Sequence, residues 1–410
     1  MSESLKRAIF IGFFVLFTII VGIAIWWVFF RIGAPLAPPT PPGEEVTGEL
    51  PGAGGATPGE PTEELPPGAL TGAGAVPGAA VTGAPEFAAT VTLRDSVTQQ
   101  VSPSPDGDGA RFYDPTEAKF YRVTSDGRTV ALSDTTFPNV ESVAWGNSTD
   151  QAIIQFPDGS KVHYDFRTQK QTTLPKHWEG FDFSGDDTSV VAKSNAIAPE
   201  SRFLVITDPD GSNPRAIESL GDNDGKVFPT WTPNNQIVAY ATVGEATGFD
   251  RQSIIMVGQN NENFRGLVVE GRGFDPLWSP SGQTLLYSVW SLRTDYKPGL
   301  WFSGGAPGNM NEDRTELQIE TWAEKCAWAD EFTVYCGVPK TLTRGAGLQP
   351  GLFQNTDDVI YRIDLRSGEK LPIGEPEGDL TVSEPVVTED GMNFIFKDAS
   401  SGLLYSFRLQ

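Results

Sequence analysis

Two histidines and two cysteines limit the chemistry that this chain can perform. His163 lies in the strand-like segment VHYDF, and His177 lies in LPKHW. A serine hydrolase would need a G-x-S-x-G turn for its nucleophile, and the sequence contains none. Zinc, haem and iron–sulfur frameworks need more cysteine or histidine ligands than are present. We therefore expect structural or surface roles for both histidines, and we predict no catalytic residue and no cofactor.

Two acidic turns resemble calcium-binding loops. Asp208 and Asp210 precede Asn213 in DPDGSN, and Asp222 and Asp224 alternate in DNDG. Oxygen ligands at alternate positions around a glycine are an arrangement that Ca²⁺ binds. Both turns lack the twelfth-position glutamate of an EF-hand, and the first is explained equally well as a tight hairpin turn. We predict no metal site, with calcium binding at these turns as the alternative.

Cys326 and Cys336 lie at the two ends of the segment CAWADEFTVYC. A tight turn near Asp330 would place them opposite one another on a hairpin. A cross-hairpin disulfide is plausible outside the cytoplasm, and we predict one here. Two buried thiols, or half of a zinc site, are the alternatives.

Two segments carry cations in an otherwise acidic region, SLRTDYKPGLW and VPKTLTRGAGLQPGLF. The candidate binding residues in them are Arg293, Tyr296, Lys297, Trp301, Lys340 and Arg344. The cations would supply charge and the aromatic rings would stack in a docking site for an anionic or carboxylate-bearing partner. In the alternative, the cations only pair with neighbouring aspartates and glutamates.

Carboxylates offer a second kind of chemistry. Glycan-processing enzymes use two carboxyl groups about 5 to 10 Å apart. Asp250, Asp275 and Glu384 are candidates for such a pair, although the sequence does not reveal their spacing.

The candidate residues named above lie within or between the copies of a repeated sequence pattern. Its clearest copies are FDPLWSPSGQTLLYSVW from Phe274 and VFPTWTPNNQIVAYATV from Val227. Weaker copies begin near residues 101, 140, 179, 326 and 383, so the repeat occurs seven times. A period of this length is typical of solenoids and propellers.

Each repeat contains two hairpins. FLVITD and PRAIESL, for example, flank PDGSN, whose Asp-Gly pair favours a tight hairpin turn. Four antiparallel strands per repeat form the blade of a β-propeller. We predict an all-β, seven-bladed propeller over residues 88–410, with six or eight blades as alternatives. The last repeat has only three strands, so we expect the strand at 89–95 to complete that blade and to close the ring.

The phrases PLWSPSGQTLLYS, PTWTPNNQIVAYA and LVITDPDGSNPRAIE resemble the TolB-type, WD40-like repeats of bacterial propellers. The resemblance covers about residues 98–410 and is strongest in the third to fifth repeats. It implies that Trp231, Trp278 and Trp328 pack in the core. It says nothing about the ligand, because such repeats occur both in periplasmic scaffolds and in the non-catalytic halves of peptidases.

Long insertions recur between the second and third strands of a repeat, near residues 194–201, 243–253, 291–299 and 338–357. All four would open at the same end of the ring as the connections between blades. Long loops on a rigid scaffold commonly carry binding residues. We therefore expect the binding surface at this end.

Residues 8–30 are 23 consecutive residues without a charge, enough for a helix that crosses a bilayer. Lys6 and Arg7 precede them and only Arg31 follows, which predicts a cytoplasmic segment at 1–7 and an extracytoplasmic remainder. A cleaved signal peptide is the alternative, but the aromatic residues at the end of this segment do not suit a cleavage site.

Residues 31–87 are rich in proline, glycine and glutamate, a composition that predicts a disordered tether. The chain carries a formal charge of −23 and no basic stripe, so nucleic-acid binding is not expected. We predict a single-pass plasma-membrane protein whose extracytoplasmic propeller binds an envelope protein or an anionic polymer. A carboxylate enzyme at the propeller mouth is the alternative.

Overall fold

The computed structural model describes residues 17–18, 90–245, 247–248, 250–353 and 355–409. The predicted cytoplasmic segment 1–7, the predicted membrane span 8–30 apart from Phe17 and Thr18, and the predicted tether 31–87 lie outside the described residues. No helix in the described ranges combines the length and the apolar composition that a bilayer crossing needs.

The described chain folds into seven four-stranded antiparallel sheets, the blades, numbered in chain order. A first strand, β1 (Thr90–Arg94), precedes blade 1. Blades 1 to 3 contain β2 (Gln99–Pro103), β3 (Gly109–Asp114), β4 (Lys119–Thr124) and β5 (Thr129–Ala131); β6 (Ser142–Trp145), β7 (Gln151–Gln155), β8 (Lys161–Asp165) and β9 (Lys170–Leu174); and β10 (Trp178–Phe183), β11 (Val190–Ser194), β12 (Phe203–Thr207) and β13 (Arg215–Ser219). Blades 4 to 6 contain β14 (Val227–Pro229), β15 (Ile237–Ala241), β16 (Gln252–Gly258) and β17 (Asn263–Val269); β18 (Arg272–Trp278), β19 (Thr284–Trp290), β20 (Pro298–Gly304) and β21 (Thr315–Glu316); and β22 (Cys326–Trp328), β23 (Thr333–Pro339), β24 (Asp358–Asp364) and β25 (Glu369–Gly374). Blade 7 contains β26 (Val382–Val387), β27 (Asn393–Asp398), β28 (Leu404–Arg408) and β1.

Short 3₁₀ helices occupy some of the connections between strands. Within the described ranges they are Pro199–Ser201, Gly221–Lys226, Leu292–Thr294, Ala323–Lys325, Ala346–Leu348 and Pro350–Phe353. The prediction of an all-β, seven-bladed propeller is confirmed.

The ring closes through strands from both ends of the described chain. β1 lies in the segment expected to complete the last blade, and it pairs antiparallel with β28, with Thr90 opposite Phe407 and Thr92 opposite Tyr405. This pairing covers the edge of β28, which would otherwise present unpaired backbone groups.

The hydrophobic core is divided among the interfaces between neighbouring blades. Phe112 of blade 1, for example, packs with Ile395 and Leu404 of blade 7 and with Leu93 of β1. Comparable clusters join each of the other neighbouring pairs around the ring. Each blade therefore buries its two apolar faces against two neighbours, because alternate side chains of a strand point to opposite faces.

The first strands of the blades surround the centre of the ring, where those of neighbouring blades lie next to one another. Successive strands are antiparallel, so connections alternate between the two ends of a blade. We call the end with the second-to-third-strand loops and the inter-blade connections the loop face, and the opposite end the turn face. The loops at 195–202, 242–251, 291–297 and 340–357, which are long, therefore lie on the loop face of blades 3 to 6.

Candidate functional site

Two adjoining cavities lie on the loop face between blades 5, 6 and 7. The larger, which we call the blade-7 lobe, has a volume of about 470 Å³ and reaches Glu384 and Lys397. The smaller, the blade-5 lobe, has a volume of about 290 Å³ and reaches Asp275 and Trp290. Both lobes are lined by Trp322, Glu324 and Pro350, so together they form one groove beside the loop-face ends of the first strands. We call it the mouth groove.

A buried ion pair fixes the segment between the two lobes. Lys325 ends the 3₁₀ helix Ala323–Lys325, and its ammonium group lies 2.7 Å from Asp358 Oδ2. The same oxygen accepts a hydrogen bond of 2.6 Å from Val382 N–H at the start of β26. Burial raises the pKa of Asp358, and the charge of Lys325 opposes that rise. This arrangement connects blade 6 to blade 7 and positions Trp322 and Glu324 at the centre of the groove.

Two glycines hold Trp290 in the wall of the blade-5 lobe. A Cβ atom on Gly347 would lie 2.6 Å from Trp290 Cβ, so the loop 340–357 approaches the indole as closely as only glycine permits. Gly273 lies against the other part of the ring with φ = +67°, a backbone conformation that favours glycine. The loop 340–357 is also bonded to its neighbour, because Gly347 N–H donates to Tyr296 O at 2.8 Å.

Two of the three candidate carboxylates line the groove. Asp275 accepts a hydrogen bond of 2.9 Å from Glu324 N–H, and burial raises the pKa of its carboxyl to about 6. Glu384 lines the blade-7 lobe and pairs with Lys397. Asp250 lies in the loop 242–251, accepts a hydrogen bond of 3.1 Å from Leu292 N–H and lines neither lobe.

Asp275 and Glu384 also belong to a set of four side chains, on blades 1, 3, 5 and 7, each of which connects its blade to the next one. Each lies at a bulge in a first strand and accepts a hydrogen bond from a backbone N–H of the next blade or of the helix that leads into it. The four pairs are Gln100 with Val143, Asp182 with Trp231, Asp275 with Glu324, and Glu384 with Val101. The residue with positive φ in each bulge is Gln100, Gly180, Gly273 or Glu384.

Our sequence analysis missed this set, although one signal was available. The tripeptide Gly-Phe-Asp occurs at 180–182, 248–250 and 273–275, and its first and third copies lie in the first strand of a blade. In these two copies the glycine has positive φ and the aspartate accepts the inter-blade hydrogen bond. The other two acceptors, Gln100 and Glu384, share no motif with these, so the sequence offers no signal for them.

The four predicted cations lie on neighbouring loops, and each has a carboxylate partner. The pairs are Arg293–Glu316 at 3.3 Å, Lys297–Glu320 at 2.9 Å, Lys340–Glu375 at 2.9 Å and Arg344–Asp295 at 3.9 Å. Arg293 and Arg344 are nonetheless 65 % and 70 % exposed. This is the pairing that the sequence analysis kept as its alternative, and it offsets the positive charge of the two segments.

The two predicted aromatic residues occupy different environments. Tyr296 is half-buried on the loop face, and its ring lies 6.0 Å from that of Trp290. Trp301 lies in β20 and is only 9 % exposed, because its side chain packs with Tyr287 in the core between blades 4 and 5. The structure therefore places Tyr296 on the loop face, on the same loop as Arg293 and Lys297, and places Trp301 away from the surface.

Exposed apolar side chains occur in all four of these loops on the loop face. They are Ile197, Val243, Leu292, Leu348 and Leu352. Of these, Ile197 is 98 % exposed and Leu352 is 73 % exposed. These five side chains are distributed over the loops of blades 3 to 6.

The other candidate residues have structural contacts. Cys326 on β22 lies opposite Cys336 on β23, and the two form a disulfide. His163 Nε2 lies 2.7 Å from Gln151 Oε1, and burial lowers the pKa of the imidazole. His177 O accepts a hydrogen bond of 2.7 Å from Asn195 N–H.

Asp208, Asp210 and Asp224 of the two acidic turns make contacts within the protein. Asp208 Oδ2 accepts hydrogen bonds from Ser212 and Asn213, and Asp224 pairs with Arg202 at 2.9 Å. Within the described ranges, no three histidine, cysteine, aspartate or glutamate side chains form a group that could hold a metal ion.

The sequence matches no family model and no curated protein. Among solved structures, it is similar to an oligogalacturonate lyase in complex with manganese, with a TM-score of 0.55 and 12 % identity over 79 % of this chain and 93 % of the other. Oligogalacturonate lyase from Vibrio parahaemolyticus gives a TM-score of 0.53 at 12 % identity over 78 % and 93 %. The β-propeller domain of Myceliophteria thermophila Cps50 (Swd1) gives 0.51 at 11 % identity over 78 % and 100 %. At such identities these likenesses show the fold alone, a WD40-like propeller.

Proposed function

We propose that this chain is a membrane-anchored module that binds a protein partner of the cell envelope on the loop face of its propeller. The observation that carries the proposal is the set of exposed apolar side chains on the long loops, among them Ile197, Leu348 and Leu352. These side chains project from a ring that is held rigid by its inter-blade cores. Rigid scaffolds that present loops are a common architecture for binding.

The sequence supports the location. The uncharged segment 8–30 is long enough to cross a plasma membrane once, with residues 1–7 in the cytoplasm. The following segment 31–87 would act as a flexible tether that spans on the order of 40 Å as a coil. The resemblance of the repeats to TolB-type propellers agrees with an extracytoplasmic scaffold.

A protein fits this surface better than an anionic polymer does. A polyanion would need uncompensated cations, whereas each of the four predicted cations has a carboxylate partner. Arg293 and Arg344 remain exposed, so they can exchange those partners for carboxylates of a docked protein. Tyr296 lies on the same loop as Arg293 and, with the neighbouring Trp290, adds aromatic contact area.

Photocrosslinking in intact cells tests the proposal. A benzophenone amino acid replaces Leu352 on the loop face of the full-length protein, and a matched variant carries it at Val130, which is 62 % exposed on β5. We expect a protein adduct from position 352 and none from position 130. Equal adducts, or none from position 352, would contradict the proposal, and an adduct that resists proteases would identify a polymer instead.

A carboxylate enzyme is the second candidate. The observation that favours it is that Asp275 and Glu384 line adjoining lobes while burial holds the pKa of Asp275 near 6. A general acid needs such a raised pKa. Envelope glycans treated with the wild-type protein, but not with the Asp275→Asn variant, would then show new chain ends by mass spectrometry.

A further inference from the structure

We infer that the blade-5 lobe of the mouth groove binds a basic side chain, arginine or lysine, of the partner docked on the loop face. This inference rests on the proposed function and names the chemistry of the partner at that site. The lobe combines two carboxylates, Asp275 and Glu324, with the indoles of Trp290 and Trp322.

The first argument is charge. Lys397 compensates Glu384 and Lys325 compensates Asp358 in the neighbouring part of the groove. By contrast, neither Asp275 nor Glu324 forms an ion pair with any cation in the described part of the chain. The lobe thus presents two uncompensated negative charges.

The second argument concerns the hydrogen bonds and the ionisation of the Asp275 carboxyl group. Its Oδ2 accepts hydrogen bonds from Glu324 N–H at 2.9 Å and Ser288 Oγ at 3.4 Å, and its carboxyl group borders the lobe. Burial and the nearby charge of Glu324 both disfavour the ionised form. A bound cation would supply the missing compensation, because an opposite charge at short range stabilises a buried carboxylate.

The third argument is the shape and composition of the walls. Trp290, Trp322 and Phe274 form apolar sides, against which the aliphatic stem of a long basic side chain can pack. A volume of about 290 Å³ accommodates the aliphatic stem and head group of one long side chain. An anion would be repelled, and a neutral side chain would leave the two carboxylates without a partner.

The position of the lobe connects it to the proposed docking surface. Gly347 and Pro350 line the lobe, and they belong to the same loop as the exposed Leu348 and Leu352. A partner that covers this loop can therefore insert one side chain between Trp290 and Trp322. Such an inserted, desolvated residue is typical of binding hot spots, in which arginine is enriched.

Ligand-observed NMR on the full-length protein in detergent tests the inference. The probes are N-acetyl-arginine methylamide, its lysine counterpart and the citrulline analogue, which has nearly the shape of arginine but no charge. We expect binding of arginine or lysine and none of citrulline. Binding of citrulline as strong as that of arginine, or no binding of either cation, would overturn the inference.

Substitutions locate the site. Glu324→Gln should weaken arginine or lysine binding about tenfold, because it removes an exposed charge without removing a hydrogen-bond acceptor. Glu320→Gln is the matched control, since Glu320 lies on the same connection but lines neither lobe, and it should leave binding unchanged. Equal effects of the two substitutions would place the cation elsewhere and contradict the inference.

Different results would refute the docking surface and the basic-side-chain pocket. An adduct from position 352 without binding of the cationic probes would refute the basic-side-chain pocket and leave the docking surface intact. Probe binding that depends on Glu324 without any adduct would support the pocket and count against a protein partner on the loop face. If both hold, Glu324→Gln should also reduce the yield of the adduct.

Discussion

Buried aspartates at the bulges of the first strands combine a structural hydrogen bond with an energetic cost. Asp182 accepts a hydrogen bond of 2.7 Å from Trp231 N–H of the next blade, and burial raises the pKa of its carboxyl to about 6. The native state therefore binds this proton more tightly than the unfolded chain does. The stability linked to it is fully present below about pH 4 and is lost as the pH rises through about 6.

Asp182→Asn should remove this pH dependence. Between pH 4 and pH 7, the free energy of unfolding of the variant should rise relative to that of the wild type by up to about 3 kcal/mol, because the amide never ionises. Urea unfolding at several pH values measures the difference.

Asp210→Asn serves as the control. Hydrogen bonds from Ser212 lower the pKa of the exposed Asp210 carboxyl, so the stability linked to this group is present above its unfolded pKa and is lost in acid. The two variants should therefore show opposite trends with pH. Parallel trends would contradict the assignment of a raised pKa to Asp182.

At the scale of elements, β1 decides whether the ring is closed. Leu93 of β1 is 8 % exposed and packs with residues of blades 1 and 7, whereas Val91 on the same strand is 55 % exposed. Substitutions at these two positions therefore distinguish the contribution of side-chain packing by β1 from that of its backbone pairing, because only Leu93 packs in the core.

Leu93→Ala should lower the free energy of unfolding by about 2 to 5 kcal/mol, because it leaves a cavity in the interface between the first and last blades. Val91→Ala on the exposed face should change it by no more than about 0.5 kcal/mol. Denaturant unfolding of both variants provides the comparison. A loss at Leu93 as small as that at Val91 would mean that β1 contributes pairing but no core.

At the scale of the whole molecule, the core belongs to the interfaces between blades, so closure gives every blade two neighbours. An open array of repeats can unfold in parts, because an end repeat has only one neighbour. A closed ring has no such end. We therefore expect the propeller to unfold in a single step.

Phe112→Ala tests this cooperativity. Phe112 is fully buried between blades 1 and 7, so its truncation should lower the free energy of unfolding by about 3 to 5 kcal/mol. The midpoints measured by tryptophan fluorescence and by circular dichroism should shift together, since tryptophans lie in distant blades such as 4 and 5. Separate midpoints would show that blades 1 and 7 unfold independently of the others.

Much of the architecture follows from local sequence patterns. Strand alternation and Asp-Gly turns act over a few residues, so the blades, their number and the positions of the long loops were readable from the chain itself. The repeat tryptophans were also placed correctly: Trp231 is 8 % exposed, and Trp278 and Trp328 pack against the inter-blade cores.

The site depended on contacts that local patterns do not encode. Asp275 meets Glu324 across an interface of blades, 49 positions further along the chain. The same packing turned Trp301 into the core and gave each predicted cation a carboxylate partner from another segment. Residue types and spacing determined the blades, because hairpins form between near neighbours in sequence. Only the tertiary structure decided which charges remain uncompensated, because that depends on how separate blades pack together.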